Sequence, residues 1–144
     1  MRAIIQRVSE ASVEIDQIVH ASIHQGYLIY LGIHVDDDIK KAHQMADKIH
    51  NLRIFEDDQE KMNLNLATVH GEILVISQFT LYGDTKGNNR PSFIEAAKPP
   101  IAIPLYEAFI ARLSLHHVVK SGIFGSHMII SSKNDGPVTI QIEL

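Results

Sequence analysis

The sequence predicts an α+β protein in which an antiparallel or mixed β-sheet is covered on one face by two main helices. Three observations predict this class. Strand-like segments come first, and a helical segment, a strand, a second helical segment and further strands follow. Residues 27–33 and 72–76 are almost continuous apolar runs, as expected of strands buried on both faces. Two other segments repeat apolar residues at the spacing of a helix face.

Length, composition and charge limit the classes of protein that fit. The 144 residues have the length of one domain, 1–144, and 45% of them are hydrophobic, enough for a core. The absence of cysteine excludes a disulfide framework and a thiolate metal site, and it fits a reducing compartment. No apolar run approaches the roughly 20 residues of a membrane span, so we expect a cytoplasmic protein without membrane contact. The net charge of −4 argues against broad binding along nucleic-acid phosphates but leaves contact with a short nucleic-acid end open.

The first part of the chain predicts an antiparallel meander of short strands. Residues 2–8 and 11–15 form two strands separated by a polar break. A hairpin tip at 16–17 turns the chain into a returning strand at 18–23. The continuous apolar segment 27–33 then forms a strand that we expect to be central.

Two segments predict the helices. The acidic run 36–38 is either a carboxylate cluster for a cation or, as we expect, a helix N-terminus that the helix dipole favours. The helix that follows spans about 39–51. In the second segment Pro104 is acceptable only in the first turn, which places the start near 101–103 and the end near Leu115.

The C-terminal third predicts short strands joined by turns. Residues 118–121 and 128–131 have strand composition, and 138–144 closes the sheet. Residues 133–137, Lys-Asn-Asp-Gly-Pro, predict a sharp turn between the last two of these strands. By composition this is a hairpin turn, and the alternative is that its free carbonyls point at a ligand.

The chain is organised around the end of the strand at 72–76, where polar side chains follow a buried run. Ser77, Gln78 and Thr80 alternate with apolar residues, so continued alternation places Gln78 and Thr80 on one face and Ser77 and Phe79 on the other. These groups either satisfy local backbone atoms or line a pocket. The residues alone leave both readings open.

Several kinds of catalytic site find little support. The nine histidines include no HExxH motif and no pair joined by a carboxylate at ligand spacing, so we expect neither a metal nor another cofactor. Ser77 lacks the GxSxG elbow, which disfavours a serine triad without excluding distant partners. The loop at 83–93 lacks the GxxxxGK[ST] phosphate-binding motif.

Three motifs together resemble the D-aminoacyl-tRNA deacylases. They are SQFTLYGD at 77–84, NRPSF at 89–93 and NDGPVT at 134–139. The segments AIIQRV, RIF and KMNLN are similar to the family as well, so the resemblance extends over essentially the whole chain in order. It implies a barrel-like fold and a homodimer whose active sites lie at the interface.

The resemblance implies chiral proofreading in translation quality control. Such an enzyme hydrolyses the ester that joins a D-amino acid, or glycine mischarged on tRNA-Ala, to the 3′ acceptor end of tRNA. The wall Ser77-Gln78-Phe79-Thr80 is the expected catalytic segment, with backbone N–H groups and the RNA 2′-hydroxyl acting in place of a side-chain nucleophile. Gly136-Pro137, as a cis peptide from the partner subunit, is expected to reject L-amino acids, and Arg7 to brace it.

Other positions follow from the same resemblance. Phe124 and Met128 match positions near the terminal adenosine, and Ala102 matches a small pocket position. Basic side chains are expected to hold the acceptor end, namely Lys86, Arg90 and Lys133. Two alternatives stay open: a non-catalytic module that binds an RNA end or a protein, and an esterase that forms an acyl-enzyme on Ser77 or Thr80.

Overall fold

The computed structural model describes residues 1–87 and 89–144; Asn88, in the loop predicted at 83–93, lies outside them. The described residues form strands, two α-helices and a short 3₁₀ helix. In chain order these are β1 (Arg2–Ile15), β2 (Ile18–Ile23), β3 (Gly26–Gly32), α1 (Ile39–His50), β4 (Arg53–Glu56), β5 (Met62–Asn65), β6 (Glu72–Ser77), the 3₁₀ helix (Phe79–Tyr82), α2 (Pro99–Leu113), β7 (Val119–Ser121) and β8 (Ile129–Glu143).

The main sheet is mixed and curls into a nearly closed barrel. β1 pairs antiparallel with β3 through its first half, with β2 through its second half, and with β8 along most of its length. β3, β6 and β7 are parallel neighbours. Lys120 on β7 reaches β2, where its Nζ donates to the Ser22 carbonyl at 2.7 Å, while it also pairs with Glu72 at 3.2 Å. The predicted α+β class with a barrel-like core and two helices is therefore confirmed.

Hydrophobic cores lie on both sides of the central strands. Along β6, Ile73 and Val75 point to the core under the helices, and Leu74 and Ile76 point into the barrel interior. Each of these side chains is at most 2% exposed, so burial contributes about 1.5–3 kcal/mol for each of them. The predicted burial of the 72–76 strand on both faces is confirmed.

The acidic run before α1 begins the helix, as expected. Asp38 is the N-cap, and its side chain accepts a hydrogen bond from the Lys41 backbone N–H at 2.8 Å. Asp37 is buried and pairs with the Lys41 ammonium at 3.1 Å and with the Met1 α-ammonium at 2.7 Å. Within the described ranges, no group of three or more acidic or histidine side chains is arranged to hold a metal ion.

The predicted start of α2 is wrong. The helix begins at Pro99, so Pro104 lies in the second turn rather than the first. Proline there removes the N–H that would donate to the Pro100 carbonyl, but both prolines are exposed and water can reach that carbonyl. Neither α-helix of the described ranges is long and apolar enough to cross a membrane.

The predicted meander and the predicted turn at 133–137 are also wrong. β1 continues through residues 9–10, and β3 pairs with β1 rather than with β2. β8 is one continuous strand, in which Asn134 lies opposite Val8 and Thr139 lies opposite Gln6. Four residues of β8, 135–138, therefore face the single residue Arg7. The Gly-Pro motif forms a β-bulge, which accommodates extra residues without ending the strand.

Candidate functional site

A cavity of about 270 Å³ opens at the end of the central parallel strands. Its walls come from the ends of β3 and β6, the region before α2 with the first turns of that helix, and residues 124–130. In the β3–β6 register Leu31 lies beside Ser77, so both strands end at the same edge. The carboxyl ends of parallel strands are a common place for ligands. Six of the predicted site residues line the cavity, namely Ser77, Gln78, Phe79, Ala102, Phe124 and Met128.

The chain leaves β6 in a different geometry from the one predicted. The alternation of faces ends at Ser77, because a 3₁₀ helix follows at Phe79–Tyr82. The Gln78 N–H donates to the Leu31 carbonyl at 2.8 Å, which ties the start of this helix to β3. The Gln78 side-chain amide donates to the Thr80 hydroxyl, so these two groups satisfy each other. Thr80 is exposed and is not among the residues that line the cavity.

Two backbone donors at this turn have no acceptor among the described residues. The turn closes through the Leu81 N–H to the Gln78 carbonyl at 3.2 Å and the Gly83 N–H to the Thr80 carbonyl at 3.0 Å. The N–H groups of Phe79 and Thr80 precede these bonds and donate to no acceptor among the described residues, as is usual in the first turn of a helix. Both are therefore available to a ligand oxygen.

The NRPSF motif supports this wall from outside. The Phe79 ring is 57% exposed and packs edge-to-face against Phe93, with ring centroids 5.1 Å apart. The loop that carries Phe93 is closed by two backbone hydrogen bonds of 2.8 Å between Asp84 and Ser92. A Cβ at Gly83 would lie 3.0 Å from the Phe93 ring, so a larger residue there would require that ring to shift slightly.

The opposite wall is apolar and firmly anchored. Phe124 packs edge-to-face on Tyr106 of α2 at 5.8 Å, and the Tyr106 hydroxyl donates to the Val75 carbonyl at 2.9 Å. Burial raises the pKa of Tyr106, which keeps the hydroxyl a neutral donor. A Cβ at Gly122 would lie 2.4 Å from the Met128 sulfur, so a larger residue there would displace the Met128 side chain.

Arg7 holds the β-bulge of β8 in place. It is 5% exposed, its Nη1 donates to the Ile54 carbonyl at 2.9 Å, and its Nε donates to the Asp135 carbonyl at 3.2 Å. The guanidinium also pairs with the carboxylates of Asp135 at 3.1 Å and Glu56 at 3.5 Å. Asn134 spans the bulge, since its side-chain amide donates to the Arg7 carbonyl at 3.2 Å and to the Val138 carbonyl at 2.9 Å.

Gly136 and Pro137 are exposed at the top of this bulge. Their peptide bond is cis, and Gly136 has φ +125°, a region that favours glycine. A Cβ at Gly136 would lie 2.7 Å from the Val138 side chain. Neither residue lines the cavity of its own chain, and neither does Arg7. Within one chain the predicted site residues therefore form two separate groups, one at the cavity and one at the bulge of β8.

Basic and histidine side chains lie outside the cavity walls with one exception. Lys86 and Arg90 are exposed, and Lys133 pairs with Glu10 at 2.9 Å. His127 lines the cavity and was missed, because a histidine without a motif carries no signal in the sequence beyond its nearness to Met128.

Three of the other histidines meet at the C-terminal ends of the two α-helices. His50 Nδ1 lies 2.9 Å from His117 Nε2, and the His116 ring stacks on His50 at 4.3 Å. Burial, followed by the charges of the other two rings, lowers the pKa of His117. None of the three lines the cavity, so this cluster belongs to the packing of α1 against α2.

Comparisons of the sequence with known proteins give matches over nearly the whole chain. The family model described as D-Tyr-tRNA(Tyr) deacylase matches residues 4–143. A D-aminoacyl-tRNA deacylase of Exiguobacterium sibiricum is 50% identical over 144 residues, with 99% of each chain covered. One of Cytophaga hutchinsonii is 53% identical over 145 residues, covering 99% of this chain and 97% of the relative.

Two solved structures extend this agreement to the fold. A protein named c-Myc DNA Unwinding Element Binding Protein superposes with a TM-score of 0.94 at 36% identity, covering 100% of this chain and 99% of its own. A probable eukaryotic D-amino acid tRNA deacylase, 15% identical, shares the fold with a TM-score of 0.85 over 99% of this chain and 98% of its own. From the family model and these relatives, the chain belongs to the D-aminoacyl-tRNA deacylase family.

Proposed function

We propose that residues 1–144 act as one domain that hydrolyses the ester joining a D-amino acid to the 3′ end of tRNA, releasing free D-amino acid and tRNA. The observation that carries this proposal is the pair of free backbone donors, Phe79 N–H and Thr80 N–H, beside a cavity of neutral groups. An aminoacyl ester is already activated, so stabilising the charge that develops on its carbonyl oxygen is the main task of a catalyst.

The reaction needs no protein nucleophile. Water adds to the ester carbonyl, and the carbonyl oxygen gains negative charge while it accepts hydrogen bonds from the Phe79 and Thr80 N–H groups. Each such donor contributes about 2.7–4 kcal/mol in comparable sites. The bond from the carbonyl carbon to the ribose 3′-oxygen then breaks. The proton lost by water reaches that oxygen through the neighbouring 2′-hydroxyl, and the products are an amino acid and a free RNA end.

Selection of the D-enantiomer uses main-chain walls from two copies of the chain. Gly136 and Pro137 are exposed and lie away from the cavity of their own chain, so the proposal places them over the cavity of a partner in a homodimer. Arg7 holds the bulge that carries them, which keeps this wall rigid. A rigid wall rejects the mirror-image substrate by steric conflict with its side chain. Glycine has no side chain to reject, which supports glycyl-tRNA mischarged on tRNA-Ala as a further substrate.

The RNA is held only at its end. Phe124 and Met128 offer an apolar surface on which the terminal adenine stacks, as single-stranded RNA ends are commonly bound. The net charge of −4 suits contact with a short acceptor end through Lys86, Arg90 and Lys133, rather than with a long duplex. Such an activity has its substrate in the cytoplasm.

A chiral deacylation assay tests the proposal. D-Tyr-tRNA and L-Tyr-tRNA are incubated with the protein in EDTA, and release of tyrosine is measured. We expect rapid release of D-tyrosine with L-Tyr-tRNA largely spared. Equal turnover of both enantiomers contradicts the chiral mechanism, and binding without turnover favours a non-catalytic RNA-end module. A covalent adduct on Ser77 or Thr80 in mass spectrometry would favour an acyl-enzyme instead.

Two substitutions at Phe79 separate the backbone donor from the aromatic ring. Phe79→Ala removes the ring and keeps the N–H, whereas Phe79→Pro removes both at the first position of the 3₁₀ helix, where proline is tolerated. We expect the proline variant to be slower than the alanine variant by roughly 10²–10³ in kcat. Equal rates of the two variants would show that the Phe79 N–H does not act on the ester.

A further inference from the structure

One titratable side chain at the cavity has no role in the proposed hydrolysis. Of the residues that line the cavity in the described part of the chain, His127 is the only one whose side chain can carry a charge. The others, from β3, β6, α2 and β8, are apolar or neutral polar groups. Neutral side chains suit an adenine ring and an ester, but apart from His127 none of those lining the cavity offers a positive charge to a phosphate.

The substrate brings an anion to this place. The 3′-terminal adenosine carries a phosphate on its 5′-oxygen, next to the ribose that holds the ester. The cavity volume of about 270 Å³ is below the range of about 300–1,000 Å³ typical of pockets that enclose a drug-sized ligand. An aminoacyl nucleotide therefore extends beyond it, and if the adenosine and its ester occupy the cavity, as the proposed function requires, the phosphate lies at the mouth.

His127 lies at that mouth on a structured segment. Its side chain is exposed, whereas its neighbours Phe124 and Met128 are half-buried against the cavity. The segment is held by Phe124 on Tyr106 and by a backbone hydrogen bond of 3.2 Å from Ser126 N–H to the Ile123 carbonyl. Tyr106, the titratable group packed against the segment from α2, donates its hydroxyl to the Val75 carbonyl.

We propose that His127 binds the 5′-phosphate of the 3′-terminal nucleotide, through a ring N–H that becomes charge-assisted when the imidazole is protonated. The inference rests on the proposed function, since it assumes that the terminal adenosine occupies the wall formed by Phe124 and Met128. It makes His127 a binding residue for the RNA end and leaves the ester to the Phe79 turn. A protonated imidazole donates a stronger hydrogen bond to an anion than a neutral one, so the pH dependence of the contact is part of the test.

Two minimal substrates isolate the phosphate. They are 3′-O-D-tyrosyl adenosine 5′-monophosphate and 3′-O-D-tyrosyl adenosine, assayed at pH 6 and pH 8 with the wild-type protein, His127→Ala and His127→Asn. For the wild type we expect the phosphate to raise kcat/KM by about tenfold at pH 6 and by less at pH 8. For His127→Ala we expect the two substrates to differ by less than twofold at both pH values.

Other results of this assay would overturn the proposal. A phosphate effect as large in His127→Ala as in the wild type would place the anion elsewhere. An equal loss of rate with both substrates in His127→Ala would show that His127 acts at the ester. His127→Asn keeps a neutral N–H donor, so we expect it to retain part of the phosphate effect without its pH dependence. His43→Ala, which removes an exposed histidine of α1 that does not line the cavity, is the matched control and should keep the full effect.

A binding measurement separates failure of this inference from failure of the proposed function. AMP and adenosine are titrated into the protein by calorimetry and by NMR at pH 6. We expect AMP to bind at least fivefold more tightly than adenosine, to shift the His127 ring resonances, and to lose this advantage in His127→Ala. If neither ester is hydrolysed but this pattern appears, the deacylase proposal fails and the phosphate contact stands. Equal binding of AMP and adenosine by the wild type overturns the phosphate contact.

Discussion

Replacing Arg7 by methionine should loosen the bulge that carries the Gly-Pro motif. Methionine keeps an unbranched side chain of similar length but removes the donors and the charge. The change removes one hydrogen bond of 2.9 Å to the buried Ile54 carbonyl and one of 3.2 Å to the Asp135 carbonyl. It also removes ion pairs with the carboxylates of Asp135 and Glu56, which are 53% and 52% exposed.

The expected loss of stability follows from these contacts. A buried carbonyl left without a donor costs about 1–3 kcal/mol, and the second hydrogen bond contributes about 1 kcal/mol. The two half-exposed ion pairs add at most about 1 kcal/mol each, because solvent screens them. We therefore expect Arg7→Met to lower the free energy of unfolding by about 2–6 kcal/mol. That is a large part of the roughly 5–15 kcal/mol typical of a domain.

Urea denaturation with hydrogen exchange measures both the size and the place of the effect. Amide exchange at Asp135, Gly136 and Val138 should accelerate more than exchange in β6, because the loss is local to the bulge. Lys133→Ala is the control: this lysine of β8 is 72% exposed and pairs with Glu10 on the neighbouring strand β1, so its loss should cost less than about 1 kcal/mol. Arg7→Lys keeps the charge without the planar fork and should fall between the two. A loss below 1 kcal/mol in Arg7→Met would refute the reasoning.

Three further predictions concern packing, the cavity and pH. Gly26→Ala places a Cβ 1.8 Å from the Glu72 carbonyl oxygen and should lower the free energy of unfolding, measured in urea, by about 3 kcal/mol or more. Gly87→Ala is the control: its Cβ would meet no described atom within 4 Å, so the free energy of unfolding should hardly change. Ala102→Val narrows the cavity and should raise KM for D-Tyr-tRNA at least fivefold, while Ala102→Gly should not; an unchanged KM in the valine variant would contradict this. Burial and two neighbouring histidines lower the pKa of His117 below 6.5 in the folded protein. The contribution of neutral His117 to the free energy of unfolding should therefore be complete above pH 6.5 and be lost as the pH falls below that value. His117→Asn should flatten the dependence of Tm on pH between 7.5 and 5.5.

Local patterns predicted much of the secondary structure because they report how each residue is buried. The continuous apolar run of β6 indicated burial on both faces, and its four central residues are indeed divided between two cores. The hairpin tip at Asp16 and Gln17 was also local information, and both residues have positive φ. The acidic run 36–38 was recognisable as a helix N-terminus because a cap acts locally: Asp38 accepts from the backbone N–H three residues away.

The bulge in β8 shows where local information ends. Asp135, Gly136 and Pro137 have the composition of a hairpin turn, and nothing near them in the chain contradicts that interpretation. The strand continues because β1 pairs with it on both sides of the bulge and because Arg7 supplies donors to a carbonyl inside it. These partners lie about 130 residues away in the chain, so only the folded structure decides between a turn and a bulge.

By itself the sequence determined most of the helical and strand segments, the burial of the central strands, and the family that the motifs resemble, since all of these depend on residue types at short spacing. The tertiary structure alone decided that β3 and β6 run parallel with Leu31 beside Ser77, and that the cavity lies at their common end. It alone placed His127 at the mouth of that cavity and kept Gly136 away from it within the same chain. The physical reason is that strand pairing and cavity walls depend on contacts between distant residues, which the whole core stabilises together and no short segment encodes.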